Sequence, residues 1–231
     1  MDDQKVDRIL RDTYDRLYYH YGPQHWWPAE EPFEVIVGAI LTQSTAWSNV
    51  EKAITNLKNA GTMSAQKLRE LPDEKLAELI YPSGYFNAKV RKLKAFVWSL
   101  EEKYSDNLDL LFNQTFADLR EQLLGVHGIG EETADSIILY AAGKPVFVID
   151  AYTRRLIDRR GLTPLHNSYS AYQALFMENL PPDRTPFNEY HALIVRHGKE
   201  VCRKHPFCES CCLNESTLAD HALYPCSIKP R

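Results

Sequence analysis

An all-α fold follows from three observations in the sequence. Apolar residues recur at three- and four-residue intervals through nearly every segment. Strand-like composition is confined to Val146 to Ile149, too short a run to build a sheet. Between the periodic segments stand the Ser, Thr, Gly and Pro residues that start and stop helices.

Taken in order, Val6, Ile9, Leu10, Tyr14, Leu17 and Tyr21 make one face of an opening helix. Ser48-Asn49-Val50-Glu51 has the form of a capping box, with Val50, Ala53, Ile54 and Leu57 as the apolar stripe behind it. Leu76, Leu79 and Ile80 predict a short helix that stops before Pro82-Ser83-Gly84. Val90, Leu93, Val97 and Leu100 predict the next. Thr115-Phe116-Ala117-Asp118 caps a helix that buries Leu119 and Leu123.

The most informative stretch follows, Leu124-Gly125-Val126-His127-Gly128-Ile129-Gly130-Glu131-Glu132-Thr133-Ala134-Asp135. Gly128 and Gly130 flank one aliphatic residue, so the chain can turn sharply and present bare N–H groups. A helix then starts at once: Ala134, Ile137, Ile138 and Ala141 share one face, and Gly143 closes it. Two helices around such a turn make a helix–hairpin–helix, and amides at a helix start can hold phosphate without any basic side chain. Val146-Phe147-Val148-Ile149-Asp150 comes next, an apolar lead-in ending on one carboxylate. A helix from Ala151 to Arg160, ended by Gly161, continues from it.

With 231 residues the chain can form one large domain or two intimate lobes. It has no run of about 18 apolar residues, and the start Met1-Asp2-Asp3 is acidic rather than a secretion signal. A cytoplasmic location without membrane contact is expected. A net charge of -4 argues mildly against a polyanionic partner. Basic residues nevertheless cluster at Lys89, Arg91, Lys92 and Lys94, at Arg154, Arg155, Arg159 and Arg160, and at Lys199, Arg203 and Lys204. These are either nucleic-acid patches or solvated helix faces. All 5 cysteines fall between Cys202 and Cys226, unlike a secreted disulfide framework.

Hairpin, distal aspartate, the turn Leu41-Thr42-Gln43 and the terminal cysteine cluster, in that order, resemble the helix–hairpin–helix superfamily of DNA base-excision glycosylases. Endonuclease III is its best-known member. The resemblance runs from about Glu34 to Cys226. It implies a two-lobed fold in which residues 1–30 pack as a helix with the C-terminal lobe. Residues 31–135 would form a helical barrel with the hairpin, and 136–201 a helical lobe carrying the catalytic aspartate. Residues 202–231 would be a metal-cluster loop and tail, and a cleft between the lobes would admit DNA. The partner implied is double-stranded DNA containing a damaged base. Monomeric action and a nucleoid-associated, bacterial or archaeal setting are implied with it.

Glycosylases lift a base from the stack and break an N-glycosidic bond through an oxocarbenium-like state. By resemblance Asp150 is the carboxylate that stabilises that cation and activates water; locally it is also an ideal helix N-cap. Glu132 stands where the endonuclease III branch carries the lysine that forms a Schiff base and nicks the strand. A glutamate has no amine, so a monofunctional enzyme is expected. Glu132 would accept a hydrogen bond from the base or face a cationic one, and on local grounds it equally suits the first turn of a helix.

Gly38-Ala39-Ile40-Leu41-Thr42-Gln43, Pro82-Ser83-Gly84-Tyr85-Phe86-Asn87, Gly128-Ile129-Gly130 and Trp26-Trp27-Pro28 together resemble the 3-methyladenine branch. In that branch aromatics sandwich the flipped base. Trp26 and Trp47 match those positions, leaving Trp27 structural, and an electron-poor alkylated purine gains a cation–π component on indole. Gln43, projecting from its turn, would enter the hole left by the extruded base, with Gly128 and Gly130 on the DNA backbone. Mismatched or oxidised bases are the alternative substrates, and an inert binder of damaged DNA is the alternative outside enzymology.

Cys202, Cys208, Cys211 and Cys226 resemble the iron–sulfur loop that closes many members of the superfamily. The set implies a [4Fe–4S] cluster, with structural zinc as the alternative. The first spacing is one residue short of the usual pattern and Cys226 lies far downstream. Cys211 fits the spacing and leaves Cys212 spare.

Overall fold

A computed structural model describes residues 3–214, and every regular element among them is helical. Cys226 lies outside the described residues. The chain divides into two compact units. One takes the chain up to Trp26 and again from Pro145, and the other is Trp27–Lys144.

In the first unit, α1 (Asp3–Tyr21) buries Val6, Ile9, Leu10 and Leu17 and leaves Tyr18 and Tyr19 exposed. Its partners are α11 (Tyr169–Asn179) and α12 (Arg184–Glu200), while α10 (Ala151–Arg159) lies along α12. Gly198 permits that last approach, since a Cβ there would stand 2.5 Å from Cδ1 of Tyr152. Val146 to Ile149 are fully buried with no neighbouring strand. Side chains satisfy the backbone instead: Gln173 donates to the Phe147 carbonyl (2.8 Å), and the Ile149 amide donates to the Tyr169 hydroxyl (3.2 Å). Phe147 stacks on Phe176 with ring centroids 3.6 Å apart, and the edges of Phe187 and Tyr190 meet it.

In the second unit, α2 (Pro32–Leu41) is buried from Glu34 to Leu41. It packs against α3 (Trp47–Asn59) and α6 (Phe86–Tyr104), and against a π turn at Ile137–Ala141. That turn extends α9 (Glu131–Ser136), and its contact with α2 keeps the chain in this unit as far as Lys144. Gly38 gives the Trp27 indole its place, because a Cβ there would lie 3.0 Å from Cζ2. The short helices α4 (Ala65–Glu70) and α5 (Asp73–Ile80) pack on α6, α7 (Leu108–Phe112) follows, and Arg69 closes this side with two 2.8 Å bonds to Asp106.

Two local expectations are corrected. Ser48-Asn49-Val50-Glu51 does not cap α3: the helix begins at Trp47, with extended Ala46 before it and no side-chain cap. The basic clusters are not uniformly solvated faces or phosphate patches either. Lys89 is 2% exposed and Arg160 3%. Arg160 reaches Asp12 (2.8 Å) and Thr13 (3.1 Å). Arg155 donates to the carbonyls of Cys202 and Gly198, and Arg159 to that of Arg203. Sequence counts positive residues, whereas packing decides which of them keep water. Among the described residues no helix is long and apolar enough to cross a membrane.

Candidate functional site

The hairpin is built as its glycines demand. Thr115 caps α8 (Phe116–Leu124) by accepting from the Asp118 amide, and the chain turns through Gly125 to Gly130 into α9. Gly128 sits at φ +83°, the left-handed region that side chains rarely adopt. Gly130 precedes the first residue of α9, in extended backbone, and no side chain caps that helix. Nothing stands within 4 Å of the position a Cβ would take on Gly130. Among the described residues the start of α9 is therefore uncapped by any side chain, and its amides keep the positive end of the helix dipole. Glu131 and Glu132 are exposed in its first turn. On the buried side Arg120 holds the fully buried Asp135 at 2.8 Å.

Gln43 leaves the turn after α2, half-buried rather than a solvated turn glutamine. The carboxamide is folded onto the hairpin: Nε2 donates to the Gly128 carbonyl (3.0 Å) and to Thr133 Oγ1 (2.9 Å), and Oε1 accepts from the Lys92 ammonium. The turn and the hairpin are thus brought together, although they lie far apart in sequence. Lys92 and Thr133 carry no signal in the sequence that marks them as partners of Gln43.

One turn earlier on α6, the buried Lys89 donates to the carbonyls of Leu41 (2.8 Å) and Ser83 (2.6 Å). It ties the end of α2 to the loop that precedes Tyr85. Burial, with Lys92 nearby, lowers its pKa to about 8. Both carbonyls and its burial make it a structural cation rather than an available amine.

Trp47, first residue of α3 and half-buried, meets the Trp27 indole edge-on at 5.2 Å; Trp27 also lies 5.2 Å from the Tyr140 ring. Trp26, likewise half-buried, belongs to the other unit.

In that unit Asp150 caps α10. Its Oδ1 accepts from the Thr153 amide at 2.7 Å, and Oδ2 lies 3.7 Å from Nε2 of His191 on α12. Burial pushes the carboxyl up. His191 and the Thr153 amide more than offset that, so Asp150 is held below the ordinary carboxylate range. Capping and ionisation are compatible, because the bond that caps the helix is one that favours the charged form. His191, the second member of this pair, is preceded by no motif, and only the packing of α10 on α12 reveals it.

The cysteines lie in the loop after α12. Cys202 and Cys211 are buried, while Cys208 and Cys212 are half-buried. Arg159 donates to Cys202 Sγ at 3.1 Å, and Cys211 Sγ lies 3.5 Å from His197 Nε2. One thiol facing a guanidinium and another beside an imidazole nitrogen suit a thiolate-held metal group in kind. Among the described residues, however, no three such donors are gathered closely enough to hold a metal.

The HhH-GPD superfamily of base excision DNA repair proteins matches residues 37–182. A Methanocaldococcus jannaschii protein named "Putative DNA repair glycosylase MJ1434" is 42% identical over 222 residues, 95% of this chain and 100% of that one. Endonuclease III of Thermotoga maritima is 28% identical over 184 residues, covering 79% of this chain and 81% of its own. Among solved structures, the H. pylori 3-methyladenine DNA glycosylase bound to 1,N6-ethenoadenine superposes with a TM-score of 0.74 at 27% identity. That match covers 84% of this chain and 97% of the other. A trapped endonuclease III–DNA covalent intermediate shares the fold, with a TM-score of 0.76 at 20% identity over 91% of this chain and 93% of that one. With the hairpin and the capping aspartate both inside the matched span, the chain belongs to the HhH-GPD superfamily of base excision DNA repair proteins and is a DNA glycosylase of that family.

Proposed function

We propose that this glycosylase is monofunctional and releases alkylated purines, 3-methyladenine foremost, from duplex DNA. The observation that carries the reading is Glu132: an exposed carboxylate stands at the hairpin position where strand-nicking relatives would need an amine. Lys89, whose pKa is lowered by burial, is held on two carbonyls. The 27% identity to a 3-methyladenine DNA glycosylase bound to 1,N6-ethenoadenine supports the substrate class.

In this reading the hairpin amides around Gly128 and Gly130 hold the DNA backbone. Gln43 fills the space of the extruded base, and Trp26 and Trp47 stack on that base with Glu132 facing it. The C1′–N bond breaks with its electron pair going to the base, so a cationic alkylpurine departs neutral. Asp150, ionised at neutral pH, stabilises the sugar cation and takes a proton from the water whose oxygen adds to C1′. The product is an abasic site in an unbroken strand.

Cys202, Cys208, Cys211 and Cys226 would hold a [4Fe–4S] cluster, zinc being the alternative for the same thiolates. Such a group would supply rigidity to the loop after α12, since base hydrolysis moves no electron. Iron, sulfide and zinc analysis of the purified chain distinguishes the two.

A base-release assay on duplex DNA containing 3-methyladenine, with and without hot alkali, tests the proposal. Free base with strand breaks only after alkali is the expected result. Breaks without alkali would overturn the monofunctional reading. No release from this substrate, with turnover on a mismatched or oxidised base, would overturn the substrate class. Binding with no turnover on any of them would leave a damage-binding protein.

A further inference from the structure

The Lys92–Gln43–Gly128 network has a consequence for how the enzyme meets DNA. The aliphatic stem of Lys92 lies across Gly128 so closely that a Cβ there would stand 2.3 Å from Cγ, 2.7 Å from Cδ and 2.8 Å from Cε. Its ammonium is therefore carried over the hairpin, where it binds the Oε1 of Gln43, whose Nε2 binds the Gly128 carbonyl. One cation thus helps the Gly128 carbonyl and Thr133 to hold the side chain that would enter the duplex, at the turn that would meet the backbone.

We propose that Lys92 is a DNA-phosphate ligand, and that its transfer from Gln43 to a phosphate at the hairpin removes one of the three bonds that stow Gln43 and so favours its entry into the duplex. The proposal rests on the reading above, in which the hairpin holds the backbone. An ammonium on a neutral amide oxygen already makes a charge-assisted bond, but on a phosphate oxygen it gains in addition the Coulomb attraction of two opposite charges. A phosphate arriving at the hairpin therefore outcompetes Gln43 for the cation. In the free protein Gln43 stays stowed, and backbone contact comes before insertion. Lys92 would then be a positioning residue for Gln43 as well as a phosphate contact.

The test measures affinity of the full chain for a short duplex carrying a stable abasic analogue, across a series of salt concentrations. Wild type is compared with Lys92→Met, Lys92→Arg and Gly130→Glu. Methionine keeps an unbranched stem over Gly128, and Gly130 has open space and an ordinary φ, so all three variants should fold. The slope of log affinity against log salt should shrink by about 0.9 in Lys92→Met, the value for one lost phosphate contact, and be retained in Lys92→Arg. A second readout is the fluorescence rise of 2-aminopurine beside the abasic analogue, which reports unstacking after binding. With Gln43 held only by the Gly128 carbonyl and Thr133, Lys92→Met should unstack at least as fast as wild type once bound. An unchanged salt slope in Lys92→Met, or slower unstacking, with Gly130→Glu binding weakened, overturns the Lys92 proposal alone. Wild-type affinity in Gly130→Glu overturns the hairpin reading and this proposal with it.

Discussion

Replacing Asp150 by asparagine separates its two roles, because asparagine keeps one and removes the other. The cap is the 2.7 Å bond from the Thr153 amide to Oδ1, and an Asn side chain offers the same acceptor with an equal preference for that position. Its charge is the other role. Two unit charges about 4 Å apart at an effective dielectric of about 20 interact by about 4 kcal/mol. Each factor of ten in rate is worth about 1.4 kcal/mol, so removing the charge should slow base release by about 10³. Asp150→Ala loses the cap as well, at about 1 kcal/mol, which in a chain of this size lowers Tm by about 2–4 °C. Single-turnover release of 3-methyladenine at neutral pH, beside thermal melts and affinity for an abasic duplex, measures all three quantities. Asp150→Asn should keep affinity and the cap and lose turnover, giving up only the stability its lowered pKa represents, whereas Asp150→Ala should lose turnover and melt lower than Asp150→Asn. Release by Asp150→Asn within about threefold of wild type would refute the catalytic assignment and leave Asp150 as a helix cap only.

Further outcomes follow from the same geometry. Since His191 and the Thr153 amide hold the Asp150 pKa below its ordinary value, its stabilising contribution is complete above the unfolded value of about 3.9. It is lost only as pH falls through the lower folded value. Single-turnover rates should accordingly show no protonation midpoint assignable to Asp150 between about pH 5 and 7, and an acid limb there that disappears in Asp150→Asn would contradict this. Lys89 has the opposite sign. Its folded pKa of about 8 lies below the unfolded value of about 10.4, so between those values the unfolded chain binds more protons and stability rises with pH. Denaturant unfolding should show wild type gaining on Lys89→Met over that window; a constant difference would oppose the assignment. Gly128→Ala must place a side chain at φ +83° and displace the Lys92 stem. The left-handed backbone alone costs about 1–2 kcal/mol, visible in urea unfolding, and an unchanged midpoint would count against the turn as described. Gly198→Ala drives a methyl to 2.5 Å from the Tyr152 ring and should cost about 1–3 kcal/mol by overpacking. A melt equal to wild type would show that α10 and α12 can part without cost.

The hairpin and the capping aspartate were legible early for a local reason. Gly128 and Gly130 mark a turn whose conformation excludes most other residues, and Thr115 and Asp150 bond amides three positions ahead. Such interactions are written in consecutive residues. The capping box at Ser48 misled for the same reason in reverse: its residues have the right types, but the chain entering from Ala46 starts the helix one residue sooner. No such local rule reaches the partners across the fold. His191 lies beside Asp150 only because α10 packs on α12, and Lys92 reaches Gln43 only because α6 brings its stem over Gly128.

The sequence by itself determined the all-helical class, the order of the elements, the hairpin and its glycines, and the aspartate that starts α10. Periodicity, caps and turns depend on neighbours within a few residues. Only the tertiary structure decided that Lys89 and Arg160 are internal ties rather than DNA contacts, and that Gln43 rests on the hairpin in the free protein. It alone showed that His191 on α12 helps the Thr153 amide hold the Asp150 carboxyl below its ordinary range. Burial and charge pairing are set by which distant surfaces meet, and that information exists only once the helices have packed.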